Sequence, residues 1–106
     1  MKPEPSTYHF IGIGGAGMSV IASILSAAGH RVSGSDRTES KVLEDLRAQG
    51  VDAYPGHGTK NFPEDAIVVL SSAIREDNPE LVLARERHQP AIHRSQALAE
   101  AAQGMR

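Results

Sequence analysis

The sequence predicts an α/β fold, a three-layer sandwich with helices on both faces of a five-stranded parallel sheet of order 3-2-1-4-5. Three observations predict it. Short β-rich runs alternate with helical periodicity from Tyr8 to the end of the chain, the pattern of repeated βα units. The run Ala66-Ile67-Val68-Val69-Leu70 is apolar without alternation, as required of a strand covered on both faces. A glycine-rich segment, Gly12 to Gly17, lies where the first strand hands over to the first helix. Right-handed crossovers then restrict the strand order.

Residues 1–7 are polar, carry Pro3 and Pro5, and read as a loose lead-in. Tyr8-His9-Phe10-Ile11 is the first strand. Met18, Ile21, Ala22 and Leu25 recur at the spacing of one helical face. Val20 and Ile24 widen it, so this helix reads as well buried. Gly29 supplies a left-handed C-terminal cap. Arg31 to Ser35 is the second strand, ending at Asp36. Ser40 caps a second helix with Val42, Leu43 and Leu46 inward. Val51 to Tyr54 is the third strand, and Ala66 to Leu70 the fourth. Asn78 as N-cap and Pro79 at the first helical position open a third helix with Leu81, Val82 and Ala84 on its apolar face. Ala91-Ile92-His93 is the fifth strand, and Ser95 caps a last, Ala-rich helix.

With 106 residues the chain reads as one domain, and 40% apolar against 23% charged residues is an ordinary globular balance. A net charge of -2 argues against a nucleic-acid partner. The absence of Trp and an aromatic content of 4% remove any stacking platform for single strands. With no cysteine, disulfides and thiolate chemistry are excluded. No apolar run approaches the ~20 residues of a membrane span, and the N-terminus lacks the apolar stretch of a signal peptide. A cytoplasmic location with no membrane partner is the expectation.

The chemistry centres on the glycine segment. Gly12, Gly14 and Gly17 match G-x-G-x-x-G between a strand and a helix, and Asp36 closes the next strand. This is the Rossmann-like arrangement. Gly12 permits the tight turn, Gly14 lets backbone N–H groups approach a diphosphate, and Gly17 lets the helix pack on the strand. The helix N-terminus adds unpaired donors and roughly half a unit of positive charge. Asp36 would accept from a ribose hydroxyl. Ligands of such sheets sit outside the carboxyl ends of the strands where the winding reverses, here between the first and fourth strands. Ser71-Ser72-Ala73-Ile74 ends the fourth strand there, and its hydroxyls either donate to phosphate and sugar oxygens or simply end the strand. His57 follows the third strand, as a base or ribose contact or as a solvated loop residue. Arg94 ends the fifth strand at the same edge, with His93 beside it as a structural residue. Arg37 and Arg75 read as surface salt-bridging residues.

Five short strands supply one mononucleotide half and part of another, so one nucleoside diphosphate fits better than a dinucleotide. No His, Asp or Glu residues stand at metal-ligand spacing, and no G-x-x-x-x-G-K-[ST] phosphate loop occurs.

The segment His9 to Ser19, read as His-Phe-Ile-Gly-Ile-Gly-Gly-Ala-Gly-Met-Ser, resembles the opening of the Mur ligase family, and within it the members that join L-alanine to UDP-N-acetylmuramate in peptidoglycan synthesis. Gly34-Ser35-Asp36, Gly56-His57, Ser71 to Ile74 with Asn78-Pro79-Glu80, and Pro90 to Arg94 agree in order. The resemblance implies an N-terminal UDP-sugar domain, 1–106, without the central ATPase domain it would pack against and without the C-terminal domain. It implies that ATP and magnesium serve the parent enzyme while this segment binds no cofactor and holds no catalytic residue. The UDP-sugar contacts it implies are Gly12, Gly14, Gly15, Ala16, Gly17 and Met18 for the diphosphate. Asp36 and His57 are implied for uridine and Ser71, Ser72, Ala73 and Ile74 near phosphate and sugar, while Ser35 and Arg94 belong to the implied UDP-sugar residues with no part of the ligand assigned to them. A free-standing nucleotide sensor or NAD-binding module is the alternative, since the glycine loop and Asp36 serve both.

Overall fold

The computed structural model describes residues 6–58, 60 and 62–103. Five strands, β1 (Thr7–Ile11), β2 (Arg31–Asp36), β3 (Asp52–Pro55), β4 (Ile67–Leu70) and β5 (Ala91–His93), form one parallel sheet of order β3-β2-β1-β4-β5. The helices are α1 (Ala16–Ala27), α2 (Lys41–Ala48), α3 (Pro79–Glu86) and α4 (Arg94–Gln103). The expected fold class and strand order are the ones observed.

The pleat divides the core. Tyr8 and Phe10 of β1 and Val69 of β4 pack with Met18, Ile21, Ala22 and Leu25 of α1, Leu43 and Leu46 of α2, and Ala97 and Ala101 of α4. The alternate residues Ile11 and Val68 pack with Phe62 and with Leu81 and Ala84 of α3. β4 is therefore covered on both faces, which is why its sequence does not alternate. The two crossover directions from the central strands put α1 and α3 on opposite faces.

Local chemistry sets the element ends. Ser40 Oγ accepts from the Leu43 N–H at 3.4 Å, and Asn78 Oδ1 accepts from Glu80 and Leu81 N–H at 2.9 and 3.3 Å. Gly29, at φ +97°, ends α1. Several details differ from the sequence expectation. The lead-in is shorter than residues 1–7: Thr7 is already in β1, paired with Arg31, and the Ser6 N–H donates to His30 Nδ1 at 2.9 Å. Residues 1–5 lie outside the described residues, as does the chain end at Met105 and Arg106. β3 runs one residue later and β4 starts one residue later than expected. α4 begins at Arg94, directly after β5, and its first turn is capped by His93, whose Nδ1 accepts from the Ser95 N–H at 3.2 Å. Ser95 is thus inside the helix. Val20 is 58% exposed and Val82 40%: each helix meets the sheet on one side, and nothing among the described residues covers the other.

Candidate functional site

A cleft of about 540 Å³ opens at the carboxyl edge of the sheet, where the chain leaves the paired strands β1 and β4. Its floor is the glycine loop. Gly12, at φ +85°, turns the chain out of β1, and the N–H groups of Gly12 and Ile13 both donate to the Ser35 carbonyl at 2.8 and 2.9 Å. The first helical bond of α1 runs from Ser19 N–H to Gly15 O, so the N–H groups of Ala16, Gly17 and Met18 have no helical acceptor. No side chain caps this end. These three residues, with Gly15, line the cleft.

Asp36 does two jobs at the cleft wall. Its Oδ2 accepts from Gly14 N–H and its Oδ1 from Arg37 N–H, both at 2.7 Å. A Cβ on Gly14 would stand 2.7 Å from Asp36 Oδ2, so a side chain there would have to push the Asp36 carboxylate from its place. The Gly14 N–H is thus engaged by Asp36, and the neighbouring N–H groups at the start of α1 are the ones left for a ligand to approach. Gly17 differs from expectation. A Cβ there would meet Arg94 Nη1 at 2.6 Å, not the strand. The close approach carries the Arg94 guanidinium to the N-terminal end of α1, where positive charge concentrates.

Ser71, Ala73 and Ile74 line the opposite wall, with Ile74 N–H donating to Ser71 O at 3.2 Å and Ala73 N–H to Ser71 Oγ at 3.4 Å. The structure therefore brings Gly12, Gly14, Gly15, Ala16, Gly17 and Met18 together with Asp36, His57, Ser71, Ala73, Ile74 and Arg94 around one space. Ser72 is exposed and does not line it, because the turn after β4 directs it away. Ser35 is fully buried beneath it. Arg37, read as a salt-bridging residue, lines the cleft instead. Arg75 does pair, with Asp77 at 3.2 Å. A second hollow of about 500 Å³ at the amino edge is lined by Thr7, Arg31, Gly50 and Asp52 among others, with no residue of a helix N-terminus in its lining.

Below the cleft lies a polar network that sequence reasoning missed. Glu80 of α3 is fully buried. Its Oε1 meets His9 Nε2 at 2.8 Å and Ser35 Oγ at 2.7 Å, and its Oε2 accepts from Gly58 N–H at 3.0 Å. His9 Nδ1 meets Ser33 Oγ, and Ser35 Oγ meets His57 Nδ1, both at 2.7 Å. Burial pushes the Glu80 carboxyl up, but the hydrogen bonds from His9, Gly58 and Ser35 outweigh it and hold Glu80 below the ordinary carboxylate range. Burial, together with the Glu80 charge, pushes the Tyr54 phenol above its usual value. A glutamate in the first turn of a helix is ordinary at a solvated N-terminus, so the sequence carried no sign that this one points inward. The one available signal was His9, an ionisable residue in the middle of the apolar run of the first strand.

Among the described residues no group of three or more His, Cys, Asp or Glu could hold a metal ion, and no helix is long and apolar enough to cross a membrane.

This geometry can be set beside known proteins. A family model described as Mur ligase family, catalytic domain, matches residues 7–106. A UDP-N-acetylmuramate–L-alanine ligase of Streptomyces coelicolor is 56% identical over 99 residues, 92% of this chain and 21% of its own length. One from Allorhizobium ampelinum is 51% identical over 92 residues, 87% of this chain and 20% of its own. Among solved structures, the UDP-N-acetylmuramate–alanine ligase of Thermotoga maritima superposes with a TM-score of 0.85 at 32% identity, covering 94% of this chain and 23% of that one. The UDP-N-acetylmuramate:L-alanyl-γ-D-glutamyl-meso-diaminopimelate ligase of Neisseria meningitides gives 0.82 at 29% identity, over 92% and 31%. The chain spans about one fifth of the length of the curated relatives it matches.

Proposed function

Since the chain belongs to the Mur ligase family, we propose that it is the N-terminal, UDP-N-acetylmuramate-binding domain of the ATP-dependent ligase that adds L-alanine to that sugar nucleotide. The observation that carries this reading is the end of α1: three unpaired N–H groups and the Arg94 guanidinium converge on one cleft at the sheet's switch point. One helix end and one glycine turn suit one diphosphate. Each Asp36 oxygen is engaged once by backbone and keeps a lone pair, so the carboxylate can still accept from a ribose diol. Ser71 borders the phosphate–sugar junction.

Among the described residues no group of three or more His, Cys, Asp or Glu could hold a metal ion, and the sequence has no G-x-x-x-x-G-K-[ST] phosphate loop, so no phosphoryl-transfer step is assigned to them. In this reading the carboxylate activation and the attack of the L-alanine amine belong to the central and C-terminal domains of the parent enzyme, and this chain contributes the grip on the nucleotide. A cytoplasmic location goes with that reading.

Titration followed by amide NMR tests it. UDP-N-acetylmuramate, and more weakly UDP, should shift Gly15 to Met18, Asp36, Ser71 and Ile74, with dissociation constants of about micromolar to millimolar because several kcal/mol of association entropy oppose few contacts. NAD shifting the same amides at lower concentration would replace this reading with that of a nucleotide sensor.

A further inference from the structure

His57 is the one cleft-lining residue whose chemistry is set from the interior. Its Nδ1 lies 2.7 Å from Ser35 Oγ, and that oxygen lies 2.7 Å from Glu80 Oε1. A serine hydroxyl carries one hydrogen. Glu80 receives three donors, from His9, Ser35 and Gly58, the pattern of an ionised carboxylate, which can only accept. The Ser35 hydrogen is therefore committed to Glu80, because turning it toward His57 would leave two oxygens facing each other at hydrogen-bond distance without a proton. Ser35 Oγ can then only accept from His57, so the proton of the neutral imidazole resides on Nδ1. Nε2, which has no partner among the described residues, is left as an acceptor on the ring's other side.

We propose that Glu80, acting through Ser35, is a positioning residue of the cleft: it locks His57 in the Nδ1–H tautomer, so that Nε2 accepts a hydrogen bond from an N–H or O–H of a bound nucleoside. This rests on the reading of the cleft as a nucleotide site and deepens it. The donors in the cleft, at α1 and Arg94, serve the anionic end of the ligand, whereas an acceptor at His57 discriminates for the nucleoside end. Gly56 and Gly58 flank the histidine, and Gly58 N–H is itself held by Glu80 Oε2, so one buried carboxylate sets both the loop position and the ring's proton.

The test reads the ring nitrogens directly. Long-range proton–nitrogen correlation on the free chain, with His57 signals assigned by their loss in His57→Gln and followed to their alkaline plateau, should show a protonated Nδ1. Ser35→Ala should move the ring toward the Nε2–H form that imidazole favours in water. Glu80→Ala, which removes the acceptor of the Ser35 hydrogen, should do the same, and Ser35→Ala, the milder change, decides the matter if Glu80→Ala does not fold. Ser35→Ala should also weaken UDP about three- to tenfold, the range one neutral hydrogen bond implies, and leave inorganic pyrophosphate unchanged. Repeating the comparison with 3-methyl-UDP and 2′-deoxy-UDP identifies the donor, as the analogue whose affinity no longer responds to Ser35→Ala. An Nε2–H ring in the unaltered chain, identical ring signals in Ser35→Ala, or an equal loss for pyrophosphate overturns the proposal. Failure of UDP to bind the unaltered chain overturns the nucleotide reading, while the tautomer is still decided by the ring signals of the free protein.

Discussion

At Gly34, in the middle of β2, an added Cβ would fall well inside contact distance of the Ile13 side chain. Ile13 is fully buried and forms part of the core under α1, so neither partner has room to withdraw. Gly34→Ala should lower stability by about 1–3 kcal/mol, the cost of overpacking a filled core, read as a lower denaturation midpoint with an unchanged slope. Asp36 acts on the loop from the other side. Asp36→Ala removes the acceptor for Gly14 and Arg37 N–H. The Gly14 amide should exchange with solvent faster in the free variant. UDP affinity should fall by the equivalent of about 1–3 kcal/mol, since a hydrogen bond to a charged acceptor is lost. Unchanged Gly14 exchange would show that the carboxylate does not hold the loop.

Among the elements, α3 joins fold to site. Asn78 and Pro79 start it where the sequence indicates, and the start fixes Glu80 at the second helical position, pointing under β1 and β2 toward His9 and Ser35. Burying a carboxylate costs several kcal/mol unless its lone pairs are satisfied, and here three donors satisfy them. Because the folded-state carboxyl is held below its ordinary 4.5, a proton binds the unfolded chain more readily. The stabilisation is therefore fully present above about pH 4.5 and is lost as pH falls through the lowered folded value. Glu80→Gln should cost about 1–3 kcal/mol at neutral pH by weakening bonds to a charged acceptor. The gap between the two proteins should close as the pH falls below 4.5. A gap independent of pH in denaturant titrations would mean that Glu80 is not ionised in the folded chain.

As a whole molecule, the chain is a sheet covered on both faces, with a cleft at its carboxyl edge and no acidic cluster among its described residues. The purified chain should neither hydrolyse ATP nor form UDP-N-acetylmuramoyl-L-alanine. Reproducible magnesium-dependent phosphate release above a blank would contradict the division of labour proposed here.

The sequence by itself determined the sheet order, the helix starts at Ser40 and Asn78, the buried stripe of α1 and the glycine turn at the first strand's end. Each of these is written in local periodicity, capping chemistry or a motif whose parts are close in the chain. It also identified the cleft residues around Gly12 to Met18, Asp36, His57 and Ser71, because carboxyl ends of parallel strands share one edge. Only the tertiary structure decided which groups those residues spend on one another. Gly14 N–H goes to Asp36, Arg94 lies against Gly17, Ser72 points away, and Glu80 reaches inward to His9 and Ser35. The reason is physical. Hydrogen bonds across 22 to 71 positions of chain depend on where separate elements pack, and no local pattern encodes that placement.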